Sequence, residues 1–136
     1  MNVRHKNSKQ MKKHKDSKYK GVQSARLHIR GSTNNAILTI TTEKGDTIWQ
    51  TSCCRDGLKN SRKSTPFAFQ MALSRALNKT SELGINTLGI VIKTSGISNV
   101  RDNLLEINNS GLRIPFICDT TGTPHNGVRM PVAPKK

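Results

Sequence analysis

Ser64-Thr65-Pro66-Phe67-Ala68-Phe69-Gln70-Met71-Ala72-Leu73-Ser74-Arg75-Ala76-Leu77 is where the chain stops reading as strand and starts reading as helix. Ser64 or Thr65 supplies a capping hydroxyl, and Pro66 suits the first helical position, where a missing N–H costs nothing. Phe69, Ala72, Leu73, Ala76 and Leu77 recur at i, i+3, i+4, i+7 and i+8, an apolar stripe of helical period. Gly84 is placed to stop this helix in a left-handed cap. Leu88-Gly89-Ile90-Val91-Ile92-Lys93 follows, a nearly continuous apolar run of the kind that forms a strand buried on both faces.

Upstream the period is two. Val22, Ser24, Arg26, His28 and Arg30 interleave with Gln23, Ala25, Leu27 and Ile29, giving one mostly apolar and one polar face. Arg30-Gly31-Ser32-Thr33-Asn34-Asn35 is a turn cluster, and Ala36-Ile37-Leu38-Thr39-Ile40-Thr41 is strand-like. Glu43-Lys44-Gly45-Asp46 makes a second turn before Thr47-Ile48-Trp49-Gln50-Thr51-Ser52. Short turns between consecutive strands predict an antiparallel three-stranded meander. Downstream, after the loop Thr94–Ser98, Val100, Leu104 and Ile107 mark a second helix, with Asp102 in its first turn and Gly111 as its stop. Ile114–Cys118 is the expected last strand. The order is βββαβαβ, an α/β layer with a mixed five-stranded sheet.

Charge divides the chain differently. Lys and Arg outnumber Asp and Glu by 23 to 8, a formal +15 on 136 residues. The excess sits in the N-terminal run Met1–Lys20, in Arg55–Lys63 and in the stretch after Asp119, which has no acid and ends in Lys135 and Lys136. Such crowding repels itself in a compact state, whereas each phosphate of a polyanion that is neutralised releases counterions. Nucleic acid is the expected partner. The expected division is a basic extension over Met1–Lys20, one RNA-binding α/β domain over Gly21–Asp119 and an extended RNA-binding tail over Thr120–Lys136. Both ends are expected to stay disordered until RNA orders them.

At 33% hydrophobic, with five aromatic residues, the chain is polar for a free-standing domain. No apolar run approaches the roughly 18 residues of a membrane span, and the N-terminus has no secretory apolar region. It is Lys-rich without an amphipathic stripe, unlike a transit peptide. Cys53, Cys54 and Cys118 are odd in number and form no C-x-x-C pair, so buried free thiols in a reducing compartment are expected rather than zinc or disulfides. There is no Walker A or G-x-G-x-x-G pattern, and hence no nucleotide cofactor or small-molecule substrate is expected.

Arg55–Lys63 runs directly into the helix start, where free N–H groups and the positive dipole end attract phosphate. Arg62 and Lys63 stand beside that terminus, and Gly57 permits close backbone approach. Gly57-Leu58-Lys59-Asn60-Ser61-Arg62-Lys63-Ser64-Thr65-Pro66-Phe67-Ala68 resembles the segment G-F-R-G-S-R-K-S-T-P-F-A of the small-subunit ribosomal protein eleven family. Asp119-Thr120-Thr121-Gly122-Thr123-Pro124-His125-Asn126-Gly127-Val128-Arg129-Met130-Pro131 is similar to that family's closing D-x-T-x-x-P-H-N-G-x-R-x-P, and Asn34–Thr41 to its N-N-T-I-V-T-I-T. The resemblance runs from about Gly21 to Pro131, and three motifs in the right order make it specific.

The resemblance implies a structural role in the platform of the small ribosomal subunit, near the exit (E) site and the path of messenger RNA. It implies contacts with small-subunit rRNA and with neighbouring ribosomal proteins. By matching position, RNA contact is carried onto Lys59, Ser61, Arg62, Lys63, Ser64 and Thr65 in the loop, and onto His125, Asn126, Gly127 and Arg129 in the tail. Two departures stand out. The family loop K-G-P-G-P-G-R is replaced by Lys93-Thr94-Ser95-Gly96-Ile97-Ser98-Asn99-Val100-Arg101, which lacks both prolines. The P-P-K-K-R-R ending gives way to Met130-Pro131-Val132-Ala133-Pro134-Lys135-Lys136. Drift of this kind, offset by the Lys-rich N-terminus, points to an organellar ribosome, mitochondrial rather than plastid.

Other features are weaker. His125 has no partnering His or carboxylate by spacing and is expected to pack on RNA, not to catalyse. Asn126-Gly127 is a left-handed turn or a succinimide-prone pair. Phe67 and Met71 lie opposite the apolar stripe and are expected to make an outside contact. Trp49 is expected in the core and Tyr19, between Lys18 and Lys20, on RNA. A meander followed by α/β units is also the ribonuclease H arrangement, but the acids fall in turns and helices rather than at the centre of the first strand, so no two-metal site and no catalytic residue are expected. The alternative is a free-standing basic RNA-binding or RNA-chaperone protein, which would have no reason to carry the three motifs in order.

Overall fold

The computed structural model describes residues 19, 21–32, 34–55, 57–94 and 107–128. Strands β1 (Ser24–Ser32), β2 (Asn35–Thr41) and β3 (Thr47–Ser52) form the antiparallel meander. A 3₁₀ turn (Asn60–Ser64), helix α1 (Pro66–Glu82), β4 (Thr87–Thr94) and the short β5 (Ile117–Asp119) complete the order. The sheet runs β3-β2-β1-β4-β5, with β4 parallel to both β1 and β5. Residues 107–109 are helical, where the second helix is expected to end; Val100, Asp102 and Leu104 lie outside the described residues.

Local chemistry accounts for the ends of α1. The Thr65 side chain accepts from the Ala68 N–H at 3.3 Å, and Pro66 follows at the first helical position. At the other end Gly84, at φ +74°, donates to Ser81 O, and Ile85 donates to Thr80 O. These two bonds make a Schellman motif, which is why glycine stands there. The whole apolar stripe is buried: Ala68, Phe69, Ala72, Leu73, Ala76 and Leu77 meet Leu27, Ile29, Leu38, Ile40, Leu88 and Ile90 from the sheet. Ile107 joins the same core, with none of its surface exposed. Both crossovers step across the sheet in the same direction, so their right-handedness stacks both helices on one face.

The other face of the sheet is therefore open among the described residues, which corrects the expectation that β4 is buried on both sides. Leu88, Ile90 and Ile92 are buried, while Val91 is half-buried and Lys93 exposed. The apolar run reads as doubly buried because Gly89 and Val91 are apolar, but only Gly89 is closely covered. What covers it is Phe116: a Cβ on Gly89 would lie 2.5 Å from the ring's Cζ.

Two further expectations change. The last strand begins at Ile117, not Ile114. The chain already runs beside β4 through Leu88 N–H to Arg113 O and Ile90 N–H to Phe116 O, but Pro115 has no N–H to return and the ladder starts only beyond it. Of the cysteines only Cys53 is buried; Cys54 and Cys118 are free thiols on the surface, Cys118 because β5 is an edge strand. Burial raises the Cys53 thiol above its ordinary range, so it stays protonated and inert. Tyr19 packs against the core, and its carbonyl accepts from the Val22 N–H. Trp49 is partly buried against the core opposite Ile40, as anticipated.

The Gly89–Phe116 fit yields a test. Gly89→Ala should lower stability by about 1 kcal/mol, because the methyl displaces the ring. For a domain of this size that is roughly 4–8 °C in Tm by thermal denaturation. In a Phe116→Ala background the loss should largely vanish; equal losses in both backgrounds would mean that the ring does not set the requirement for glycine.

Candidate nucleic-acid interface

Strand direction decides where the basic segments emerge. Because β1, β3, β4 and β5 all point the same way, their carboxyl ends share one edge of the sheet. The basic segment 55–65 leaves β3 at that edge, and the C-terminal segment leaves β5 there. They start four strand spacings apart, roughly 19 Å.

The basic segment is more ordered than a loop. Leu58 packs against the core, and Gly57 (φ +74°) and Asn60 (φ +53°) take left-handed turns that fold the chain into the 3₁₀ turn. Arg62 N–H donates to Lys59 O at 3.2 Å, Ser64 Oγ to Ser61 O at 2.7 Å and Thr65 Oγ1 to Arg62 O at 2.8 Å. The six loop residues singled out from sequence thus divide into two groups. Lys59, Ser61 and Arg62 are exposed and Lys63 half-buried, presenting three cations beside the N-terminus of α1. Ser64 and Thr65 use their hydroxyl hydrogens to fold the turn, and Thr65 also caps α1. The 3₁₀ turn itself escaped sequence reasoning, since five residues carry no periodicity. The exposed Phe67 and Met71 lie just beyond it on α1.

The tail is anchored before it departs. Thr120 donates to Ile92 O from both N–H (2.7 Å) and Oγ1 (3.1 Å). Asp119 Oδ1 accepts from Thr121 N–H at 2.9 Å and Oγ1 at 2.5 Å, and Thr121 Oγ1 accepts from the Thr94 N–H at 3.1 Å. These bonds give the Asp-x-Thr pattern its physical reason: it ties the end of β5 to the end of β4. Beyond it His125, Asn126 and Gly127 are exposed, and Asn126 takes the left-handed conformation at φ +49°. Arg129 and Arg101 lie outside the described residues. Among the described residues no group of three His, Cys, Asp or Glu side chains could hold a metal ion, and no helix is long and apolar enough to cross a membrane.

Thr65→Ala removes both the cap and the bond to Arg62 O, and should cost about 1 kcal/mol in urea denaturation, while Thr65→Ser should retain most of it. If Thr65→Ala matches the parent, the hydroxyl is not what orders the turn.

The family model described as Ribosomal protein S11 matches residues 25–135. Small ribosomal subunit protein uS11 of Lawsonia intracellularis is 43% identical over 105 residues, 77% of this chain and 81% of its own length. The protein of the same name in Nitratidesulfovibrio vulgaris is 39% identical over 117 residues, 86% of this chain and 90% of its own. That of Buchnera aphidicola is 41% identical over 102 residues, 75% and 78% of the two chains. With the motifs, the element order and a match of this extent in agreement, the chain belongs to the Ribosomal protein S11 family.

Proposed function

We propose that the chain is a structural constituent of the small ribosomal subunit and grips small-subunit rRNA with the two basic segments that leave one edge of its sheet. The observation that carries this is the convergence of the family match with that placement: the segments matching the family's RNA motifs are those anchored at the shared edge. Lys59, Arg62 and Lys63 take phosphates at the start of α1, with Ser61, Ser64 and Thr65 lining the turn that holds them. His125, Asn126, Gly127 and Arg129 follow the RNA from the tail. Phosphate contacts fix position, and RNA shape supplies most of the selectivity.

In this reading residues 21–119 form the RNA-binding body, and the basic segments 1–20 and 120–136 order themselves on RNA. The seat is the platform, near the E site and the messenger path, against neighbouring small-subunit proteins. No chemical step is asked of any residue. The compartment is an organellar ribosome, mitochondrial rather than plastid, supported by the loss of the loop prolines and of the arginine-rich ending beside a Lys-rich N-terminus.

Arg62→Gln and Lys63→Gln should each lower the slope of log affinity against log salt by about 0.7–0.9 on a small-subunit rRNA transcript, one contact apiece. An unchanged slope in both would remove the turn from the interface. Sedimentation of the tagged full chain from whole-cell and isolated-organelle lysates tests the rest. It should travel with the small subunit of the organelle after EDTA separates the subunits. Recovery in bacterial or cytosolic ribosomes would overturn the compartment, and a peak free of rRNA would overturn the ribosomal role.

A further inference from the structure

The face of the sheet away from the helices carries a second cationic surface, and its β1 side chains lie outside the family-like motifs. Arg26, His28 and Arg30 project from β1 on that face, since their neighbours Ala25, Leu27 and Ile29 fill the core. Register brings Lys93 beside Arg30, Val91 beside His28 and Gly89 beside Arg26. From β2 it adds Thr39 next to His28 and Thr41 next to Arg26. Phe116 lies over Gly89 on this face with 43% of its surface exposed, and Cys118 sits beside Val91.

Two shallow clefts meet at Arg30. One, of about 450 Å³, extends over His28, Thr39, Thr41 and Gln50. The other, of about 250 Å³, lies between Arg30 and Lys93 and reaches the tail anchor at Thr121 and Gly122. Together they make a trough that crosses the sheet and opens at the edge from which the basic turn and the tail leave.

The electrostatics of this trough favour one kind of occupant. Arg30 and Lys93 are lateral neighbours about 5 Å apart along the hydrogen-bonding direction, an arrangement that is unfavourable unless an anion relieves it. Among the described residues, none of Arg26, Arg30 and Lys93 is paired with a carboxylate. Glu43 reaches the face only at its foot, where it accepts from Ser24 Oγ at 2.6 Å. His28, bonded to Thr41 Oγ1 at 3.1 Å, has its pKa lowered by burial and by the Arg26 charge, so it is held neutral beside the cations. The N-terminal run, with eight Lys/Arg against one acid, offers this face no compensating negative charge.

We infer that the open face of the sheet is a second RNA surface, on which an unpaired stretch of RNA lies across β1 and β4. Its phosphates meet Arg26, Arg30 and Lys93, and a base packs on Phe116. Threonine hydroxyls and the Gln50 amide edge the trough. An open sheet with cations and an exposed ring suits unpaired bases, which can be splayed out and stacked, better than a duplex. The site presupposes the rRNA-binding role above, but its cations and its ring are separate from the turn and tail.

The test uses the full chain and an oligouridylate of about 12 nucleotides. Combined Arg26→Gln, Arg30→Gln and Lys93→Gln should lower the salt slope by about 2, three single-strand phosphates at roughly 0.7 each. Arg62→Gln with Lys63→Gln should lower it independently. These face side chains are solvent-exposed like charges, so thermal melting should find the variant as stable as the parent. The second measurement needs no charge change: a photo-cross-linker on Cys118, in a Cys54→Ser background, should capture RNA within small subunits isolated from the source cells.

If the slope falls only in the turn variant, the open-face surface is refuted while the proposed function stands. If it falls only in the face variant, the face stands and the turn assignment goes. No change in either refutes both. Cross-links from Cys118 to protein alone would make the face a protein interface and overturn the inference.

Discussion

The parallel pairing of β1 with β4 is the constraint on which the rest of this structure depends. It joins a locally folded meander to the helix-containing half, from Ser24 opposite Thr87 to Gly31 opposite Thr94. Parallel neighbours cannot be joined by a tight turn, so the chain must cross over between β3 and β4, and α1 is that crossover. The right-handedness of crossovers sends α1 and the second helix to the same face. One pairing therefore sets three things: which face is core, which is open, and which edge receives the carboxyl ends. The basic turn and the tail are far apart in sequence, and only this pairing gives them a common edge.

How much of this was legible in the sequence depends on how local its cause is. Helix α1 and both its caps could be read from Thr65, Pro66, the apolar stripe and Gly84, because each acts within one or two turns of backbone. The meander was equally plain in the alternation of residues 22–52. Features created by contact between distant segments were not. Ile114–Cys118 has the composition of a strand, yet Pro115 delays the ladder and Phe116 rises over Gly89. That Val91 is only half-buried and Lys93 exposed in β4 could not be inferred from an unbroken apolar run; it follows from both crossovers having the same direction. The cations of the candidate site were visible in composition, but the division between those that face outward and the hydroxyls that build the turn needed the hydrogen bonds. Arg30 and Lys93 become neighbours only through strand register.

The same framework explains why hydroxyls are so frequent near the basic segments. A cation binds phosphate best when its backbone is already fixed, since ordering it at the moment of contact costs conformational entropy. Ser64 and Thr65 fix the turn without adding charge, and Thr120 and Thr121 fix the root of the tail in the same way. Carboxylates could do some of this, but each would cancel part of the positive field that attracts RNA. Asp119 is the exception: it accepts from the Thr121 N–H and hydroxyl, and so secures the root of the tail.

With 23 basic and 8 acidic side chains, internal pairing can neutralise only a minority of the positive charge, and among the described residues the ion pair between Lys79 and Glu82 lies on α1, away from the shared edge. The self-repulsion that remains opposes compaction of the free chain. It is tolerable because the core is formed by groups that carry no charge, the β1–β2–β4 aliphatics and the alanine-rich stripe of α1. A ligand that binds only the folded chain adds stability of RT ln(1 + [L]/Kd), about 2.7 kcal/mol when it stands at a hundred times Kd. Neutralising phosphates thus removes a repulsion and adds a linkage term at once. A body folded by uncharged interactions, with its cations held back for the partner, is what allows the chain to fold before it meets RNA and to become more stable when it does.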